Sequence, residues 1–228
     1  MTSAARTEYR EEVLARVPRG YSPFLHLVIP SILALGAVDA AASLMRGVRW
    51  WQLALVPVFA GVMNALEWHA HRGLLHRHLR PLETLYRRHL QHHAVYVRGD
   101  IAMRDPRELK IVLLPALAIV AIFAVALPVA LLFLLTGQRN LALLWVATSV
   151  GYVMIYEWLH LAWHLPEDGL AARLPVLRTL RRLHELHHDP RLMHRFNLNV
   201  TVPLWDWLQG TLRGAAPAAR PTPVPGHR

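Results

Sequence analysis

Cysteine is absent from this 228-residue chain, which excludes disulfide staples, thiolate metal sites and cysteine nucleophiles together. No glycine-rich phosphate loop, Gly-x-Ser-x-Gly elbow or His-Glu-x-x-His protease box is present. His184-Glu-Leu-His187-His188 comes near the last pattern, but its histidines fall three and four residues on. Flavin and nicotinamide motifs are missing too. Negative charge is scarce, with 15 Asp and Glu against 25 Lys and Arg and a formal net charge of +10. Such a balance suits nucleic acid or an anionic membrane surface, and the positions of the charges separate the two.

Apolar residues are abundant instead, at 54% of a chain long enough for one domain, which points to a membrane protein. Four apolar segments are expected to span, at about 23–45, 50–66, 111–135 and 141–159, against the roughly 20 residues a helix needs to cross a bilayer. Pro115 and Pro128 should kink or tilt the long third segment. Tight connections at 46–49 and 136–140 pair the spans as two hairpins. Residues 1–22 form a polar cytosolic segment with an amphipathic helix near 7–16, expected on the membrane surface. Residues 23–212 form the membrane-embedded domain, and the Pro-, Ala- and Arg-rich stretch 213–228 is expected to be disordered.

In a four-span arrangement, 22 of the 25 Lys and Arg fall on one side. That side is the cytoplasm by the positive-inside rule, with both termini on it, so the basic balance marks topology and not a nucleic-acid groove. Tryptophan agrees, with Trp50, Trp51 and Trp145 expected at the outer interface and Trp68, Trp158 and Trp163 at the inner one.

Histidine is the second excess. Seven of the fifteen lie between His69 and His93, and a further concentration follows at His160, His164, His184, His187 and His188. Clustered imidazoles repel when protonated and are poor helix formers, so a metal is the usual reason for them. At i, i+3 and i+4 spacing, His89, His92 and His93 should converge on one point, as should His184, His187 and His188; His160 and His164 form an i, i+4 pair. His71 and His76, five apart, need a bulge, a kink or two metals, and Gly73 between them could permit it. On spacing alone, His69 with His76 or His71 with His78 would share a face equally well. Two crossings separate the earlier histidines from the later ones, so all emerge on one face of the bilayer.

His71-Arg-x-x-x-His76, His89-x-x-His92-His93, His160-x-x-x-His164 and His184-x-x-His187-His188 resemble the histidine boxes of the fatty acid hydroxylase superfamily, which includes sterol desaturases. The four-residue gap in the first box is more similar to fatty acid 2-hydroxylases and carotene hydroxylases than to sterol-acting members. Asn197 to Thr211 also resembles the segment after the last box, and the likeness covers about residues 20–212. It implies an all-α fold, a four-helix membrane bundle under a cytosolic helical cap. It further implies two iron ions with O2 as co-substrate and a membrane lipid as substrate. Zinc could occupy the nitrogen-rich site on purification. The absence of a cofactor domain implies an external electron donor such as a ferredoxin, flavodoxin or cytochrome b5-like protein.

The expected ligands are His71, His76, His89, His92, His93, His160, His164, His184, His187 and His188, which suit two metals with positions left open. His69, His78 and His194 are further candidates as ligands or as their neighbours. Glu67, Glu157, Glu185 and Asp189 are expected to accept hydrogen bonds from the ligands' other ring nitrogens. Asp206 could brace the C-terminal segment. Arginines such as Arg72, Arg77, Arg87, Arg88, Arg181 and Arg182 should hold the histidines neutral. The expected activity is hydroxylation of an aliphatic C–H bond of a fatty acyl chain or related lipid. The alternatives are a desaturase or methyl oxidase acting on a sterol, hopanoid or carotenoid, and a non-enzymatic metal-binding or transport protein.

Overall fold

The computed structural model describes residues 1–166, 169 and 174–214, and within them the chain is helical, with one isolated β-bridge between Val97 and Asp100. The expected tail lies almost wholly outside the described residues. Helix α1 (Ser3–Ala15) is followed by α2 (Pro23–Leu44), whose start is fixed by Ser22, which caps the Leu25 N–H, and by Pro23 in the first turn. A short α3 (Trp50–Leu53) leads into α4 (Val56–Ala70), which continues as a π-turn over His71–Leu75. Helix α5 (Glu83–Val95) precedes the short α6 (Leu109–Val112), then come α7 (Ala116–Leu135) and α8 (Arg139–His164). Helices α9 (Pro175–His187) and α10 (Leu204–Leu208) complete the set.

Among the described residues, three helical stretches are long and apolar enough to cross a membrane: Pro23–Leu44, Trp50–Leu75 and Arg139–His164. The described apolar part of α7, Ile122–Leu135, is shorter. Helix α8 is the axis, packed by α2, α4 and α7. Phe59, Met63, Ala126, Ala130, Leu144 and Trp145 form the core between α4, α7 and α8. Leu33, Leu127, Leu132 and Leu135 face outward, as a lipid-facing surface requires.

The third apolar segment is broken rather than kinked. Leu113 is extended (ψ 151°) and Pro115 caps α7, so the helix stops at Val112 and restarts at Ala116. Proline forbids the α conformation comfortably to the residue before it, and here the freed Leu114 N–H is accepted by the Glu157 carboxylate at 3.1 and 3.2 Å. Pro128, by contrast, sits inside α7.

The two tight turns meet. Asn140 accepts the Arg46 N–H and donates to the Arg46 carbonyl, at 3.2 and 2.7 Å. Both hairpins therefore close at one end of the bundle, which sends the four histidine segments to the other end.

Two expectations change. Trp145 does not belong to an interfacial belt: it is buried, with its indole N–H donated to the Ala126 carbonyl at 2.8 Å. Trp68 and Trp163 are buried as well, while Trp50, Trp51 and Trp158 stay exposed. Helix α1, Ser3–Ala15, starts earlier than expected and packs on α5. Its Arg10 is buried, pairs with the fully buried Glu108 at 3.1 Å, donates to the Ala102 carbonyl at 2.8 Å and lies over the Tyr96 ring.

Candidate metal centre

The spacing problem of the first box is solved by the π-turn. The His76 N–H donates to the His71 carbonyl, five residues back, so the turn takes one residue more than an α-turn and brings both rings to the same side. Their ring planes lie 15° apart with centroids at 5.1 Å. Gly73 has open space where a Cβ would stand and no unusual backbone angle, so the bulge does not depend on it.

Nine of the ten expected ligands converge in two groups. His71, His76, His89, His93 and His187 form one, and His92, His164, His184 and His188 the other; within each, one nitrogen per ring lies within 4.8 Å of all the others. The boxes do not each serve one point, as spacing alone suggests. His89 and His93 join the first group while His92, on the same helix, joins the second; His184 and His188 join the second while His187 joins the first. Neighbours on a helix are about 100° apart, so each His-His pair points its two rings at different centres, and the i, i+4 partner completes one of them.

Four rings have their far nitrogen fixed. Nδ1–H donates to a backbone carbonyl in His71 (Leu198, 2.5 Å), His164 (Ile101, 2.6 Å), His187 (Phe196, 3.0 Å) and His188 (Tyr96, 2.8 Å). A carbonyl only accepts, so each of these rings turns an Nε2 lone pair inward. There His89 Nε2 lies 3.1 Å from the Nε2 atoms of His71, His76 and His93, and His184 Nε2 lies 3.0 and 3.1 Å from those of His188 and His164. A proton on the central ring can satisfy one lone pair at a time; a cation satisfies all of them. Imidazole nitrogens bound at about 2.1 Å stand about 3.0–4.2 Å apart around an ion. The donor set therefore fits two nitrogen-ligated ions.

Burial keeps the rings neutral. His89, His92, His93, His184 and His187 are held well below the ordinary histidine range, and His188 is pushed down to about 3, in each case first by loss of water. Neighbouring imidazoles follow as the next depressing cause. The surrounding arginines, expected from sequence to do this, are not the leading causes.

The carboxylates act at one remove. None of the four expected ones accepts from a ligand ring among the described residues. Glu67 instead takes the backbone N–H groups of Val200 and Thr201 and the hydroxyls of Tyr152 and Thr201. Glu185 takes the Gly99 N–H at 3.0 Å, and Asp189 holds Arg98 and Arg191. Asp206 braces the C-terminal segment, receiving the Leu198 and Asn199 N–H groups, the Trp68 indole and the Thr211 hydroxyl. It thereby fixes the segment whose Leu198 carbonyl orients His71.

The remaining histidines divide. His160 is buried beside the second group, its centroid 5.0 Å from those of His164 and His184, but is not among the four whose nitrogens converge. His194 is exposed at the rim of the first group, 5.0 Å from His76. His69 and His78 are exposed and face Trp68 and Glu83 respectively. A small cavity of about 40 Å³, lined by Leu85, His89, His92, Leu113, Tyr156 and His160, opens beside both groups.

Sequence reasoning missed Asn64. It is 1% exposed inside α4, donates to Tyr152, Thr201 and the Val202 carbonyl, and accepts the Trp205 N–H. Its signal was available, because an amide in an apolar span is expected to have a partner. The carbonyl acceptors of Tyr96, Ile101, Phe196 and Leu198 had none, since every residue carries one.

No curated protein and no solved structure matches the chain. The sequence model of one family, fatty acid hydroxylase, matches residues 56–211, a stretch that runs from the start of α4 to Thr211 and contains every histidine of both groups. The chain belongs to the fatty acid hydroxylase family.

Proposed function

We propose that this protein is an O2-dependent di-iron oxygenase that hydroxylates an aliphatic C–H bond of a membrane lipid. The observation that carries the reading is the pair of imidazole groups, five and four rings, at one end of helices apolar enough to span a bilayer. His160 completes the second group, making ten ligands. Bound there, two iron ions would supply oxygen activation strong enough to oxidise an unactivated C–H bond. The protein's own part is to hold ten neutral imidazoles in place, orient four of them through Nδ1, and keep water away with buried Trp163, Leu186 and Val95.

The topology belongs to the same proposal. The broken third segment crosses as a fourth span, and the metal centre with both termini lies on the cytoplasmic side, where 22 of the 25 Lys and Arg then fall. Placing one oxygen atom in a C–H bond and releasing the other as water takes two electrons and two protons from outside. A separate acidic electron carrier docking on the basic face would deliver the electrons. Metal transport is disfavoured because the ligands crowd at one end and not along a path between the helices.

The test is expression with and without the double change His92→Ala, His188→Ala, followed by mass spectrometry of total lipids. Oxygen-dependent species heavier by one oxygen atom, present only with the unchanged protein, are the expected result. Species lighter by two hydrogens would assign the desaturase alternative. Identical lipid profiles in a host supplying substrate and reductant would overturn both.

A further inference from the structure

A second cavity, of about 360 Å³, lies inside the span region between α2, α7 and α8. Its volume falls in the range of small-molecule sites. Most of its wall is aliphatic or aromatic, including Leu33, Ala34, Ala37, Phe123 and Val150. One end is different: there it is lined by Glu157, Ser31 and His26. Ser31 already donates to the Leu27 carbonyl and accepts from Trp158, and His26 Nδ1 is paired with the Tyr21 hydroxyl. Glu157 is not saturated. Among the described residues its carboxylate meets one donor, the Leu114 N–H, and no Lys or Arg, whereas its two oxygens offer about four acceptor positions.

From this arrangement we propose that the cavity is a binding site for a single long-chain lipid whose polar end is a hydroxyl, donated to Glu157, with the alkyl chain running between α2, α7 and α8. An apolar chamber selects a hydrocarbon tail, and an unpaired buried acceptor selects a donor. A carboxylate head offers no donor to Glu157 and would bring a second acidic group into an apolar site with no Lys or Arg beside it, which is costly. Orientation follows from the broken helix. Leu113 lines this cavity and also the small one beside His89, His92 and His160, and Glu157 stands one turn before His160 on α8. The lipid therefore turns its hydroxyl end, not its methyl end, toward the histidines. This last step rests on the reading of that centre as a lipid oxygenase; the binding site itself does not.

Photolabelling of the purified full-length protein in lipid nanodiscs tests the proposal, with hexadecanol carrying a chain diazirine and hexadecanoic acid carrying the same group as probes. Labelled peptides should come from 23–44 and 150–157. The alcohol should label more strongly by about tenfold, the value of one buried hydrogen bond. Glu157→Gln keeps an acceptor for the Leu114 N–H and adds an amide donor that can meet a carboxylate head, and should abolish the preference by admitting the acid. Ala34→Phe fills the chamber from α2 without touching Glu157 and should cut labelling by both probes. Equal labelling of the unchanged protein by alcohol and acid, or labelling unaffected by Ala34→Phe, would overturn the proposal. Repeating the assay on metal-stripped protein separates it from the oxygenase reading: labelling that persists there while the lipid profiles show no oxidation keeps the binding site and sinks the activity.

Discussion

The two imidazole groups differ less in their ligands than in what holds them. The first is built across a π-turn, and its fixed rings, His71 and His187, lean on the C-terminal segment through the carbonyls of Leu198 and Phe196. Asp206, Glu67 and Asn64 bind that segment to α4. The second group takes His164 from the regular α8, and its fixed rings lean on the loop after α5 through the carbonyls of Ile101 and Tyr96. That loop is anchored by Arg10 of α1 and by Glu108, which accepts the Tyr96 hydroxyl at 2.8 Å. The two centres share helices α5 and α9 yet rest on opposite ends of the chain. Damage to one support should therefore leave the other centre loaded.

The largest effect is expected from Arg10→Ala, which leaves the buried Glu108 without its cation; breaking such a pair costs about 3–5 kcal/mol. Metal analysis of the surviving folded protein should show loss from the second group first. Asp206→Ala strands the buried N–H groups of Leu198 and Asn199, at about 1–3 kcal/mol each, and should empty the first group instead. Thermal melts and metal stoichiometry of the two variants, compared side by side, check the division, and it fails if both lose the same ion. Asn64→Ala should act in the direction of Asp206→Ala but more weakly, by about 1–3 kcal/mol, because Glu67 still holds Val200 and Thr201.

Acid should strike both groups alike. The folded rings titrate below the unfolded value of 6.5, His188 at about 3, so between those limits the unfolded chain binds more protons than the folded one. Stability present above pH 6.5 should be lost as pH falls toward 3, and protonation should expel metal in the same window. A pH series of melts, with and without metal, measures it. The smallest effect belongs to His78→Ala, which removes an exposed ring and should change stability by less than about 0.5 kcal/mol with metal content unaltered.

Much of the centre could be read from residue spacing. Four histidine segments and the five-residue gap demanding a bulge were legible, because periodicity on a helix is a local property. The allocation of each box to two centres instead of one was less so. It turns on which side of α5 and α9 faces which neighbour, and the i, i+3, i+4 pattern is silent on that. Trp145 shows the same limit: an aromatic near a span end reads as interfacial until packing between α7 and α8 buries it. Arg10 and Glu108, 98 positions apart, carry no mutual signal in the chain.

The sequence by itself determined the apolar helical segments, the supply of imidazoles and the lack of any thiol, because these follow from composition and from periods of a few residues. Only the tertiary structure decided which rings share a centre, which carbonyls fix their tautomers, and that Glu157 ends a chamber between the helices. Those depend on contacts between segments distant in the chain, where backbone carbonyls and packing leave no mark on residue type.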